Sequence, residues 1–304
     1  MGLARRTLLW LADRRHTQKL ISGAPMTRRV ARRFVAGERP EDAVDALRDL
    51  QAKGLGGILN LLGEGVTDPA GAEAAAGAYL ESISAADAAQ VPTTVSIKLT
   101  QLGLLFDAPG CRSHLRAIAD RAATARLGLE VDMEQSDYVS ATIDTYLCAG
   151  VEPLPRLAIQ AYLHRTPDDL RRLMPAGARV RLVKGAYLEP AAVAISDGRA
   201  VTQRFAELAT LLLENGDDPA FATHDSSLID HVAGEARRLR RDRQAFEFQL
   251  LYGIRRDLQL RLAASGFRVR VYVPFGSAWY PYLVRRLAEK PANLRFFARA
   301  LVGR

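Results

Sequence analysis

The chain has 304 residues, 48% of them hydrophobic and 25% charged, and a formal charge of +8. That composition excludes a disordered, collagen-like or coiled-coil chain and suits one large core or two modest ones. Only five of the 42 basic residues are lysines (Lys19, Lys53, Lys98, Lys184, Lys290), and the arginines alternate with Asp and Glu along helices, which argues against a nucleic-acid partner.

Residues 1–55 read as a helical lead-in. Leu8, Leu11, Leu20, Val30, Phe34, Val44, Leu47 and Leu50 recur at near-helical spacing, and Pro40 with Glu41 and Asp42 resembles a helix start. The longest early apolar run, Leu8 to Ala12, stops at Asp13, so neither a membrane span nor a secretory leader is expected. Cys111 and Cys148 lack metal or redox spacing and suit reduced thiols in the cytoplasm.

After Gly54 short apolar runs alternate with amphipathic segments. Eight candidate strands follow in order: 57–62, 94–99, 127–133, 157–162, 180–183, 220–223, 246–251 and 269–273. Thr166-Pro167-Asp168-Asp169 reads as a helix start capped by Thr166, and Asn215-Gly216 as a helix stop. Strands alternating with helices imply parallel pairing, and eight such units in the space available fit a closed (βα)8 barrel better than an open sheet. The expected organisation is an N-terminal helical extension, 1–55, and one catalytic barrel, 56–304.

In such a barrel the polar residues at strand C-termini converge on one face. They are Glu64, Lys98, Asp132 and Glu134, Gln160, Arg181 with Lys184, Thr223-His224-Asp225, Glu247 and Gln249, and Tyr272. A lysine inside a strand needs solvent or an opposite charge, and Asp132 is the natural partner for Lys98. A Schiff-base role for Lys98 or Lys184 would need a desolvated amine, which Asp132 opposes. His224 beside Asp225 invites a metal reading, but no second histidine follows at ligand spacing, so an imidazole packing on or bonding to a ligand suits it better. No nucleophile elbow and no dinucleotide fingerprint is present. On the last helix Tyr282, Arg285, Arg286 and Glu289 share a face. By spacing alone, a carboxylate clamp and a salt-bridged solvated face explain that pattern equally well.

Several stretches together resemble the proline dehydrogenase family. They are 96–100 (SIKLT), 131–134 (VDME), 158–162 (AIQAY), 181–187 (RLVKGAY), 222–225 (ATHD), 246–253 (FEFQLLYG) and 269–276 (VRVYVPFG), the last running into 279–293. The resemblance implies a distorted (βα)8 barrel holding FAD at its strand ends, with Met133, Gln160, Arg181, Val183, Lys184, Gly185, Ala186, Tyr187, Thr223 and His224 lining the cofactor. It implies a substrate site of Lys98, Asp132, Tyr272, Tyr282, Arg285, Arg286 and Glu289, with Leu250 and Tyr272 walling the proline ring. Asp132 and Arg181 would be catalytic, Gly185 and Ala186 would let backbone approach the cofactor, and L-proline would become 1-pyrroline-5-carboxylate by hydride transfer to flavin N5. A quinone would take the electrons, with transient membrane-surface contact, and a separate pyrroline-5-carboxylate dehydrogenase would take the product. Rival readings are a flavin barrel of the methylenetetrahydrofolate reductase type and a non-catalytic anion-binding barrel. No metal is expected.

Overall fold

The structure, a computed structural model, describes residues 31–63 and 65–283. Its eight strands close into a barrel in sequence order: β1 Gly56–Leu61, β2 Thr94–Ile97, β3 Gly128–Val131, β4 Arg156–Gln160, β5 Val180–Val183, β6 Ala220–Ala222, β7 Glu247–Leu251 and β8 Arg268–Phe275. Every neighbouring pair is parallel, including β1 with β8. The strand assignments from periodicity land on these eight. They run on at several C-terminal ends, because residues such as Leu99 and Met133 continue the apolar run after the ladder has ended.

Helix α1, Pro40–Gln51, precedes β1 and packs on β1 and β8. The crossovers carry α2 Pro69–Ala88, α3 Ala108–Thr124, α4 Val139–Leu147, α5 Thr166–Leu173, α6 Gly198–Asn215, α7 Ser226–Arg238 and α8 Arg256–Ala264. Four of them begin at an aspartate cap: Asp68, Asp107, Asp197 and Asp225 accept backbone N–H bonds from the first turns of α2, α3, α6 and α7. Thr166 departs from its expected role. Arg165 holds the cap position, and the Thr166 hydroxyl instead donates to the Gln160 carbonyl at 2.5 Å, tying α5 back to the end of β4.

The core is the layer between barrel and helices, where outward residues such as Leu59, Val131, Leu182, Phe221, Phe248 and Leu250 meet the helices. A second apolar cluster lies at the strand C-terminal end. There Ala31, Phe34 and Val35 pack with Leu62, Trp279, Tyr280, Tyr282 and Leu283. The segment 31–38 is strapped to the barrel exit by Ala36 N–H to the Pro274 carbonyl (2.9 Å) and Gly276 N–H to the Gly37 carbonyl (3.0 Å). The Trp279 indole N–H also donates to Glu38 Oε1 at 3.1 Å. Among the described residues no helix is long and apolar enough to cross a membrane.

Candidate active site

Because strand side chains alternate, β3 turns Glu130 and Asp132 into the barrel, β5 turns Arg181, β7 turns Glu247 and Gln249, and β8 turns Tyr272. Their contacts record this directly. Arg181 Nη1 reaches Glu130 Oε2 at 3.0 Å, and its Nη2 makes a close ion pair with Asp132 Oδ1. Ser96 donates to the same Asp132 oxygen at 2.6 Å, and the Tyr272 hydroxyl donates to Asp132 Oδ2. The Arg181 guanidinium carbon lies 5.4 Å from the centre of the Tyr272 ring.

Asp132 therefore has a different direct partner from the one expected. Arg181 makes the ion pair and Lys98 contributes its charge from nearby. Burial opposes ionisation of Asp132 most strongly, but Arg181, Lys98 and the hydrogen bonds from Ser96 and Tyr272 outweigh it and hold the carboxyl below its usual range. Burial, followed by the Asp132 charge, drives the Tyr272 phenol well above its ordinary value. Glu134, bonded by the Thr100 hydroxyl at 2.6 Å, is pushed up by burial.

Beneath this trio lies an ionic floor that the sequence reading passed over in large part. Arg156 Nη1 bonds Glu130 Oε1 at 2.8 Å and Glu247 Oε1 at 2.7 Å, and its Nη2 reaches Asp218 at 2.5 Å. Arg268 pairs with Asp218, and Arg270 approaches Glu247 at 3.2 Å. Glu247 and Gln249 belong here, below the strand ends, and not at the mouth. The available signal was charge at alternate positions of otherwise apolar strands: Glu130 with Asp132, and Arg268 with Arg270.

The mouth is stitched from one strand end to the next. Gln160 Nε2 donates to the Glu134 carbonyl at 2.8 Å, and Ser136 donates through N–H and hydroxyl to Glu189 at 2.8 and 2.6 Å. Lys184 Nζ reaches Asp225 Oδ2 and Thr202 Oγ1, each at 2.9 Å, and the Leu251 N–H donates to His224 Nε2 at 3.0 Å. That last bond leaves His224 Nε2 without a proton. Thr223 accepts the Asp225 N–H at 3.1 Å.

One assignment changes. Leu250 pairs in register with Val271 and faces the helices, whereas Leu251 pairs with Tyr272 and shares its interior face, so Leu251 takes the place beside Tyr272 that was expected of Leu250. Gly185 has φ +112°, and a Cβ there would lie 2.2 Å from the Tyr162 ring. The Tyr162 ring therefore already requires glycine at this position. Met133 is buried, Val183 and Tyr187 are half-buried, and Ala186 is exposed, all in segments at the mouth. Tyr282 is buried in the second cluster, on the helix that starts at 279. Glu64, Arg285, Arg286 and Glu289 lie outside the described residues. Among the described residues no group of His, Cys, Asp and Glu could hold a metal ion.

A closed parallel barrel with a cationic, phenol-lined mouth coincides with a family match: the model described as proline dehydrogenase covers residues 43–299. The chain belongs to the proline dehydrogenase family. It is 38% identical over 307 aligned residues to the proline dehydrogenase of Deinococcus radiodurans, covering 99% of this chain and 98% of that protein. It is 36% identical over 301 residues to proline dehydrogenase 1 of Bacillus subtilis subsp. natto, covering 99% of each. Proline utilization A from Bdellovibrio bacteriovorus shares the fold, with a TM-score of 0.81 at 24% identity over 86% of this chain, which spans 33% of that longer protein. An enzyme of the proline dehydrogenase family replaces both the folate-reductase and the non-catalytic readings.

Proposed function

We propose that this member of the family oxidises L-proline to 1-pyrroline-5-carboxylate with FAD bound at the barrel mouth. The observation that carries the reading is the Arg181–Asp132–Tyr272 assembly, a buried cation fixed beneath an aromatic wall at the strand ends. The donor set suits a flavin. Arg181 Nε is buried and without a hydrogen-bond partner, Lys184 offers a second cation on the same strand end, and Gln160 and Thr223 add an amide and a hydroxyl. Those four, with Met133, Val183, Gly185, Ala186, Tyr187 and His224, would hold the cofactor. When bound, FAD supplies the acceptor that takes hydride from the substrate carbon beside nitrogen and later yields its electrons to a quinone.

The protein's own work is then orientation and charge. Lys98, Arg285 and Arg286 bind the proline carboxylate, with Glu289 fixing one guanidinium and Tyr282 beside it, while Tyr272 and Leu251 wall the ring. Asp132, held ionised by Arg181, is a weak base at neutral pH, so it orients Arg181 and the Tyr272 hydroxyl and leaves the substrate proton to solvent at the mouth. Exposed Leu105 and Phe106 on the loop after β2, and Leu188 after β5, support contact with an apolar acceptor or membrane surface at that same end. The cyclic imine product would pass to a separate pyrroline-5-carboxylate dehydrogenase.

The test is an anaerobic absorption spectrum of the FAD-loaded protein before and after L-proline. Bleaching of the flavin band, reversed by a soluble quinone, is the expected result. A protein that takes up no FAD, or whose flavin stays oxidised with proline, would overturn the proposal.

A further inference from the structure

Arg181 can serve the site only if its long side chain stays in one place, and an arginine held by nothing is spread over many rotamers. Asp132 cannot provide that alone. Its oxygens are shared among Arg181, Ser96 and Tyr272, and they restrain only the Nη2 end of the guanidinium. The other end is held from below. Glu130, two residues earlier on the same strand face and 1% exposed, accepts Arg181 Nη1 at 3.0 Å through Oε2.

The second oxygen of Glu130 is itself fixed. Oε1 accepts Arg156 Nη1 and Gln249 Nε2, both at 2.8 Å. Arg156 is in turn pinned by Glu247 and Asp218. A chain of charge-assisted bonds therefore runs from the barrel floor up to the guanidinium, and among the described residues Glu130 is its one joint to Arg181.

We propose that Glu130 is the positioning residue that aims Arg181 at the reaction site. It sits one inward-facing layer, about 7 Å, below Asp132, so it acts through the arginine and not on the substrate. Two carboxylates gripping the two terminal nitrogens prevent the planar guanidinium from turning about the Cδ–Nε bond, and they leave the buried Nε as the unpartnered donor. Glu247 provides an internal comparison. It is also 1% exposed and shares Arg156 and Gln249, but its charged partners are Arg156, Arg268 and Arg270, not Arg181.

This inference rests on the reading of Arg181 as the cation of the flavin site. A double-mutant cycle tests it in FAD-saturated protein: wild type, Glu130→Gln, Arg181→Lys and the pair, with Glu247→Gln as the comparison. The readouts are the bleaching rate at saturating L-proline, the proline concentration at half-saturation and the position of the oxidised flavin band. Glu130→Gln is expected to slow bleaching at least about tenfold and to move the band, with half-saturation unchanged within about twofold. Both effects should be absent when Glu130→Gln is added to Arg181→Lys, and Glu247→Gln, which reaches Arg181 only through Arg156, Gln249 and Glu130, should slow bleaching far less than Glu130→Gln does.

Equal slowing in the two arginine backgrounds, or an equal defect in Glu247→Gln, would show that the site senses floor charge or barrel integrity, and would overturn the proposal while wild-type bleaching stands. Wild-type protein that proline does not bleach would overturn the functional reading and this inference together. If Glu130→Gln alone fails to fold, the same cycle is run with Glu130→Gln/Arg156→Gln, which removes one charge of each sign from the floor, and it is judged by the same outcomes.

Discussion

Lys184 and Asp225 join the end of β5 to the cap of α7 through an Nζ–Oδ2 contact of 2.9 Å. The same carboxylate accepts the Ser227 N–H at 3.1 Å, so one aspartate both starts a helix and closes a segment of the barrel rim.

This double use predicts a pH signature. The Lys184 hydrogen bond, first among the causes, brings the Asp225 carboxyl from 3.8 down to about 2. The folded value lies below the unfolded one, so the contribution is complete above pH 3.8 and disappears as pH falls through about 2. With both side chains about a third exposed, Asp225→Asn should cost less than about 1 kcal/mol at pH 7. Urea midpoints of the two proteins should converge on going from pH 4 to about 2, and a constant gap over that range would contradict the assignment.

The floor predicts a much larger effect. Arg156→Met leaves Glu130 and Glu247 buried with one fewer counter-charge each, and should cost roughly 3–5 kcal/mol in urea unfolding. A loss below 1 kcal/mol would mean that water enters the barrel from beneath and screens these groups.

Gly253 predicts a backbone effect. At φ +74°, its Cβ would lie 1.8 Å from the carbonyl oxygen of Arg33, and a backbone carbonyl cannot swing aside as a side chain can. Gly253→Ala should therefore destabilise by about 1–3 kcal/mol and displace the strap of residues 31–38. Faster tryptic cleavage after Arg32 and Arg33 is the measurement, and wild-type protection would refute it.

The bond from Trp279 to Glu38 predicts a binding effect, since it anchors the helix that carries Tyr282. Trp279→Phe and Glu38→Ala should each raise the proline KM about 3- to 10-fold with kcat little changed, as one lost hydrogen bond warrants. The double variant should be no worse than either single one.

The proposed carboxylate clamp predicts the largest substrate effect. Arg286→Ala and Arg285→Met should each raise the proline KM at least about 30-fold, the equivalent of roughly 2 kcal/mol, with FAD retained. Saturation curves that match wild type in both variants would remove the clamp from the mechanism.

The barrel was legible because short, mainly apolar runs alternate with longer helical stretches, four of which open on an aspartate cap. The mouth was legible because strand ends converge by topology, which brought Asp132, Arg181 and Tyr272 together from three distant stretches. What periodicity could not supply was phase. Leu250 and Leu251 are adjacent and identical in chemistry, and only the register with Tyr272 shows which of them turns inward. Partner choice was equally hidden. Asp132 lies near two cations, and its pairing with Arg181 in preference to Lys98 depends on how far each side chain reaches across the barrel. The floor was missed because single charged residues inside apolar strands look like interruptions until Glu130 and Arg156 are seen side by side in register.

The joint at Glu130 also constrains how this barrel can change over generations. Its neighbours Arg156 and Arg181 are sealed from solvent, so a lineage that lost one member of the trio would carry a stranded integer charge until a second substitution cancelled it. Drift at these three positions therefore has to proceed by matched exchanges.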